Sequence, residues 1–272
     1  MKKVLSLIMA CMMAAAMTAC SSNETAEQKD YAANVANANV VAEAGSSGEE
    51  LATADEFFKD ANFTPVDSMA KALMEVKSGT ADIAIVDYVT SIGSIGEGTD
   101  YADLKVVEGK DFSPEQYGIA FRKNSDLTDA VNAAIAELAA DGKMDEIAAT
   151  YKLQDLIIKD GAANETEIKE GDLAYVKEKG KMTIGITLFA PMNYYDENEE
   201  LIGFETEFAK AVCDKLGVEA EFVEINWDSK EIELNSKNID CIWNGMTITD
   251  ERLANMSISV PYMENKQVMI SK

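Results

Sequence analysis

Along this chain, short apolar runs of strand character alternate with stretches of helical period. Val40-Val41-Ala42-Glu43-Ala44 reads as a strand, and Gly45-Ser46-Ser47-Gly48-Glu49-Glu50 as a loop opening a helix with acids in its first turn. Phe63-Thr64-Pro65-Val66 reads as a strand that Pro65 consigns to a sheet edge. Asp67 or Ser68 caps a helix over Met69–Lys77, stopped by Gly79. Ile83-Ala84-Ile85-Val86 is continuously apolar, as a buried parallel strand is, and ends at Asp87. Further strands are expected at Leu104–Val107 and Tyr117–Arg122, and helices at Asp126–Ala140 and Lys143–Tyr151. Residues 153–172 break the pattern and read as a linker. A second set follows, with strands at Met182–Thr187, Val218–Val223, Ile239–Trp243 and Gln267–Ile270 and a helix at Phe204–Leu216 closed by Gly217. The pattern predicts an α/β chain of two doubly wound lobes.

Lys77–Asp87 and Asn235–Gly245 echo each other: a helix end, a turn with an aspartate, an apolar strand, then a polar residue at the strand's carboxyl end. Ligands bind at that end of open α/β sheets, which makes Asp87 and Asn244-Gly245 candidates by position alone. The competing reading is that they cap the next helix.

Composition narrows the function. The chain has 272 residues, 49 acidic against 24 basic, a net charge of −25 and no histidine. Such a charge argues against nucleic acid and anionic lipid as partners. Without histidine the commonest general base and metal ligand are missing, so no cofactor or metal is expected and an enzyme is disfavoured. Lys2 and Lys3 precede an apolar run from Val4 to Ala19, shorter than the roughly 20 residues of a spanning helix, which reads as a signal peptide. The sequence Met17-Thr18-Ala19-Cys20 resembles a bacterial lipobox and implies that Cys20 is lipidated. Cys213 and Cys241, both in apolar surroundings, form a disulfide or remain buried thiols.

Several segments together are similar to the polar amino-acid solute-binding proteins of ABC importers. They are Met182-Thr183-Ile184-Gly185-Ile186, Phe189-Ala190-Pro191, Leu201-Ile202-Gly203-Phe204-Glu205, Asn244–Arg252 and Pro261-Tyr262. This stretch resembles the family's usual first half, whereas Val40–Tyr151 resembles its second. The resemblance therefore implies a two-lobed, type II periplasmic-binding-protein (flytrap) fold, circularly permuted. Its expected divisions are a signal peptide (1–19), a lipidated tether (20–38), lobe 2 (39–115), a crossing strand (116–122), two helices of lobe 1 (123–152), a linker joining the former termini (153–172), lobe 1 (173–265) and a second crossing strand (266–272). The last would end free, leaving one covalent crossing and a looser hinge.

The family likeness also implies site roles. Only two arginines, Arg122 and Arg252, occur among the 24 basic residues. Arg252 falls where the family clamps the ligand α-carboxylate; Arg122 lies beside the crossing. Ser47, within Ser46-Ser47-Gly48 at a helix N-terminus, and Thr247 match hydroxyl contacts to that carboxylate. Asp87 and the Gly245 carbonyl, next to Asn244, match acceptors of the α-ammonium. Phe189 and Trp227 match rings that hold the ligand side chain; Trp243 belongs in the core. Glu43 faces the side-chain site or solvent. Ile186 and Thr187 stand where relatives that bind lysine or arginine often place an acid, so a neutral polar amino acid is expected ahead of a basic one. The implied protein is a monomeric, extracytoplasmic lipoprotein, held to the membrane by its lipid, that delivers a polar amino acid to a membrane permease. Enzymes of dehydratase or cell-wall lytic type, and ligand-sensing modules, share the fold and stand as alternatives.

Overall fold

The structure, a computed structural model, describes residues 30–164, 167–169 and 171–272; the expected signal peptide and Cys20 lie outside them. The chain first forms β1 (Asn39–Glu43), α1 (Ser47–Ala54), β2 (Asn62–Val66), α2 (Met69–Ser78), β3 (Ile83–Asp87), α3 (Tyr88–Ser94), β4 (Lys105–Val106) and β5 (Pro114–Tyr117). Next come β6 (Ala120–Arg122), α4 (Leu127–Ala140), α5 (Lys143–Thr150), α6 (Asp172–Lys179), β7 (Lys181–Ile186), β8 (Tyr194–Tyr195), β9 (Leu201–Ile202), α7 (Phe204–Leu216) and β10 (Glu219–Glu224). The last elements are α8 (Lys230–Asn235), β11 (Cys241–Ile242), α9 (Asp250–Asn255), β12 (Met256–Ile258) and β13 (Met263–Ser271).

Among the described residues two large sheets form, each the centre of a lobe, beside a small antiparallel β8-β9 pair. Lobe 2 holds the order β2-β1-β3-β13-β4, with β5 also paired to β13; lobe 1 holds β10-β7-β11-β6-β12. As its apolar run requires, β3 is buried throughout and lies parallel to β1. Among the described residues strand β2 pairs with β1 alone, so Pro65 sits on an edge where a missing N–H costs nothing. Ser68 caps α2, and Gly79 at φ +81° ends it in the left-handed conformation. In lobe 1, Trp243 is fully buried and meets Phe208 edge-to-face at 5.4 Å. Cys213 and Cys241 are buried free thiols.

Tyr31–Lys272 form one unit, and two segments connect its sheets. One runs between β5 and β6, the other between β12 and β13. They lie side by side: the Ile119 N–H reaches Ser259 Oγ at 2.9 Å, the Ser259 N–H reaches the Ile119 carbonyl at 2.9 Å, and the Tyr262 N–H reaches the Tyr117 carbonyl at 3.0 Å. This corrects one expectation. Residues 266–271 are not a free-ending crossing strand; they lie within β13 in the lobe 2 sheet, where Gln267–Ile270 pair with Asp87–Ala84. Both crossings are covalent, so the argument for a looser hinge falls. The apolar run Val268–Ile270 is the buried end of a longer strand whose polar first half had masked it.

Two further segments are more ordered than their composition suggested. The expected tether is folded from Tyr31 onward: Val35 and Ala38 are buried, and the Tyr31 hydroxyl donates to Asp82 at 2.9 Å. Part of the expected linker, residues 156–164, lies along the second crossing. The Ile158 N–H donates to the Tyr262 carbonyl at 2.8 Å, the Glu264 N–H to the Leu156 carbonyl at 2.8 Å, and Asn164 Nδ2 to the Ser259 carbonyl at 3.0 Å. Among the described residues no helix is long and apolar enough to cross a membrane.

Candidate functional site

A narrow cavity lies between the lobes. Lobe 2 contributes Glu43, Ser46, Ser47, Met69 and Asp87; lobe 1 contributes Trp227, Asn244, Gly245, Thr247 and Arg252. Strand ends and helix starts supply most of these residues, because that is where an α/β sheet releases its backbone toward a crevice.

On the lobe 1 wall, Thr249 caps α9 by accepting the Arg252 N–H, which fixes where the arginine side chain begins. Arg252 is 5% exposed. Its Nη1 donates to the Thr247 carbonyl at 2.9 Å, and its Nη2 crosses to Glu50 Oε1 of lobe 2 at 3.0 Å. The Thr247 hydroxyl donates to Glu115 at 3.1 Å. Asn244 is committed to the wall: its Oδ1 accepts from the Thr187 hydroxyl at 2.6 Å, and its Nδ2 donates to the Thr187 carbonyl and to Asn193 Oδ1, each at 2.8 Å. The Gly245 N–H donates to buried Glu205 at 2.8 Å, and the Tyr262 hydroxyl donates to the same carboxylate oxygen. Gly245 has φ +57°, and a Cβ there would stand 3.1 Å from Phe189 Cζ, so glycine is required for conformation and for space.

On the lobe 2 wall, Ser46 caps α1 by accepting the Glu49 N–H at 3.2 Å, while the Ser47 hydroxyl is buried without a hydrogen-bond partner. Asp87 occupies the N-cap position of α3 but makes no capping hydrogen bond. Its carboxylate instead accepts from Asn265 Nδ2 at 2.9 Å and from Gln267 Nε2. Burial, then the neighbouring Glu115 carboxylate, push the Asp87 carboxyl up to about 7, against the pull of its hydrogen bonds. Burial also raises Glu115. Glu43 faces the cavity at 2% exposure, and one of its carboxylate oxygens has no partner. Burial, then Asp87, carry it up to about 8. Among the described residues no cluster could hold a metal ion.

The structure thus brings together Glu43, Ser46, Ser47, Asp87, Trp227, Asn244, Gly245, Thr247 and Arg252. It places Gly48 and Phe189 outside that lining. Gly48 lets α1 close on the sheet: a Cβ there would sit 3.1 Å from the Ile85 carbonyl. Phe189 stands behind Gly245 and lines a separate, mainly apolar cleft with Leu73, Tyr101, Tyr194 and Tyr195. Arg122 is structural, paired with Asp172 at 3.0 Å and donating to the Ile239 carbonyl at 2.9 Å. Sequence reasoning missed Met69, Glu115, Asn265 and Gln267. The last two carried a readable signal, since they are polar side chains at alternate positions of a buried strand.

Close inter-lobe packing makes a first prediction. Gly93 of α3 lies against the 190–191 backbone of lobe 1, and a Cβ would come 2.5 Å from Pro191 N. Gly93→Ala should therefore wedge the lobes apart, with a larger radius of gyration in solution scattering; an unchanged radius would show that the lobes absorb the methyl group.

Residues 182–272 match the model of bacterial extracellular solute-binding proteins, family 3. The chain is 37% identical over 105 residues to the L-cystine-binding protein TcyJ of Escherichia coli (strain K12), covering 38% of this chain and 40% of that protein. It is 34% identical over 119 residues to the L-cystine-binding protein TcyA of Bacillus subtilis (strain 168), covering 41% and 44%. It is 33% identical over 93 residues to the ABC transporter arginine-binding protein 1 of E. coli (strain K12), covering 34% and 38%. The chain thus spans about 40% of the length of the curated relatives it matches. Among solved structures it is similar to a mutant ArgBP from T. maritima, with 35% identity, a TM-score of 0.30, and coverage of 31% of this chain and 37% of that one.

Proposed function

We propose that this chain is the substrate-binding protein of an ABC importer, and that it closes its lobes on one polar amino acid. The observation that carries the reading is the buried Arg252 guanidinium and the buried Asp87 carboxylate lining one small cavity from opposite lobes. A zwitterion needs such a pair: a cation with several N–H donors for its carboxylate and an anion for its ammonium. The unpartnered Ser47 hydroxyl adds a further group for the carboxylate. The names of the curated relatives support an amino-acid ligand, with cystine and arginine among those named.

The fuller reading keeps Cys20 as a lipidated anchor, an extracytoplasmic location, a membrane permease as partner, and a monomer. It also keeps the circular permutation, supported by the packing of α4 and α5 from the chain's first half against α7 of its second. Glu43 and Asp87, with their raised pKa values, would also suit proton transfer in an enzyme. Two side-chain amides already occupy Asp87, which favours holding an ammonium over shuttling protons.

A thermal-shift screen of the twenty amino acids and L-cystine tests the reading. Ligand at a hundred times Kd adds about 2.7 kcal/mol to stability, and so a clear rise in melting temperature for at least one of them. No shift with any amino acid, or chemical turnover of one that binds, would overturn it.

A further inference from the structure

Lys230 is the single buried lysine among the described residues, 6% exposed at the start of α8. Its Nζ crosses the cleft to the Gly45 carbonyl of lobe 2 at 2.9 Å and also donates to the Trp227 carbonyl at 3.3 Å. The ammonium lies 4.9 Å from the centre of the Trp227 ring, which lines the cavity. Two carbonyls take two of its three N–H groups, so one donor remains. Burial, then the charge of Arg252, push its pKa down to about 8. Glu43 ends β1 two residues before Gly45. It is 2% exposed, lines the cavity, and has one carboxylate oxygen buried without a partner. The Lys230 ammonium is thus held against the Gly45 end of the same turn and against a ring of the cavity wall. A buried charge and a buried orphan acceptor at one cleft are each costly unless something meets them.

We propose that Glu43 and Lys230 form a side-chain subsite beside the Arg252–Asp87 pair, reading a ligand whose side chain ends in a group that both accepts and donates hydrogen bonds. The inference rests on the amino-acid reading above and names its substrate class. An acceptor on the ligand takes the remaining Lys230 N–H, and a donor on the ligand satisfies Glu43. Two sources have this chemistry: a carboxamide, as in glutamine or asparagine, and the second amino-acid end of L-cystine. A lysine or arginine side chain offers donors alone and brings a cation to the Lys230 ammonium. A glutamate or aspartate side chain offers acceptors alone and crowds a third acidic group against the carboxyls of Glu43 and Asp87.

The test is titration calorimetry of the protein with L-glutamine, L-asparagine, L-cystine, L-lysine, L-arginine, L-glutamate and L-aspartate. At least one of the first three should bind tenfold or more tightly than the last four, and which of them leads separates the two sources. Lys230→Met should lose that preference and raise the affinity for lysine or arginine at least fivefold. Glu43→Gln, which keeps the shape if the lysine variant does not fold, should raise the affinity for glutamate at least fivefold. Wild-type preference for a purely cationic or purely anionic side chain, or an unchanged order in a folded variant, overturns the subsite while leaving the amino-acid reading standing. Binding of no amino acid at all overturns the reading beneath it.

Discussion

Arg252→Ala should weaken amino-acid binding at least a hundredfold while leaving the protein folded. Arg252 is the only arginine lining the cavity, and its guanidinium is held by the Thr247 carbonyl on its own lobe. Hydrogen bonds to a charged group contribute roughly 1.5–3 kcal/mol each, and a bidentate clamp makes two. Truncation would also leave the ligand carboxylate buried without a counter-charge, which costs about 3–5 kcal/mol. A hundredfold loss, about 2.7 kcal/mol, is therefore the lower bound. The effect on stability should be smaller. The arginine's ion pair joins it to Glu50, which is largely exposed, and such pairs contribute about 0–1 kcal/mol. Arg252→Lys separates charge from shape: it keeps the cation but loses the planar fork, and should recover only part of the affinity. Calorimetry on the three proteins, with melting curves as a control for folding, decides the matter. Wild-type affinity in a folded alanine variant would refute the clamp.

Binding and stability should respond to pH in opposite directions. In the unliganded protein burial raises three carboxyls: Glu43 to about 8, and Asp87 and Glu205 to about 7. Their ordinary values are 3.8 for Asp and 4.5 for Glu. A carboxyl raised on folding binds protons more tightly in the native state. The stability it contributes is therefore complete below the ordinary value and is lost as pH rises through the raised one. The unliganded protein should have a higher urea midpoint at pH 5.5 than at pH 8.5. Ligand binding runs the other way. An ammonium arriving at Asp87 favours the ionised carboxylate and displaces its proton, so affinity should fall up to tenfold per pH unit below about 7. Calorimetry at pH 6 in buffers of different ionisation heat should show about one proton released per ligand. Proton uptake, or an affinity flat between pH 5 and 7, would contradict the role of Asp87.

Much of the fold was legible because its signals are local. Pro65, Ser68, Gly79 and Gly217 mark edges and caps through their own backbone chemistry, and the run Ile83–Val86 could only be a buried strand. Helix α3 was not legible: Tyr88-Val89-Thr90-Ser91-Ile92-Gly93 is poor in helix formers and folds as a helix because it packs against β13 and the 190–191 backbone. The division of β13 was also hidden. One strand pairs with β5 through its first half and with β3 through its second, a register set by the partners and not by its own pattern.

The site divides in the same way. Arg252, Thr247, Asp87 and Ser47 sit at strand ends and helix starts, where motif and position coincide. Glu43 left two readings open, because one strand-end residue points inward or outward according to register, and the β1 register with β2 and β3 turns it inward. Lys230 and Glu115 were unreadable, since a lysine or glutamate is ordinarily solvated and only the closing of two lobes buries these.

The most direct test of the account is a crystal structure with the best-binding amino acid. It should show the α-carboxylate on the Arg252 guanidinium and the α-ammonium within hydrogen-bond distance of Asp87, both lobes touching one molecule. A ligand bound outside this cavity, or held within it by neither residue, would contradict the central claim.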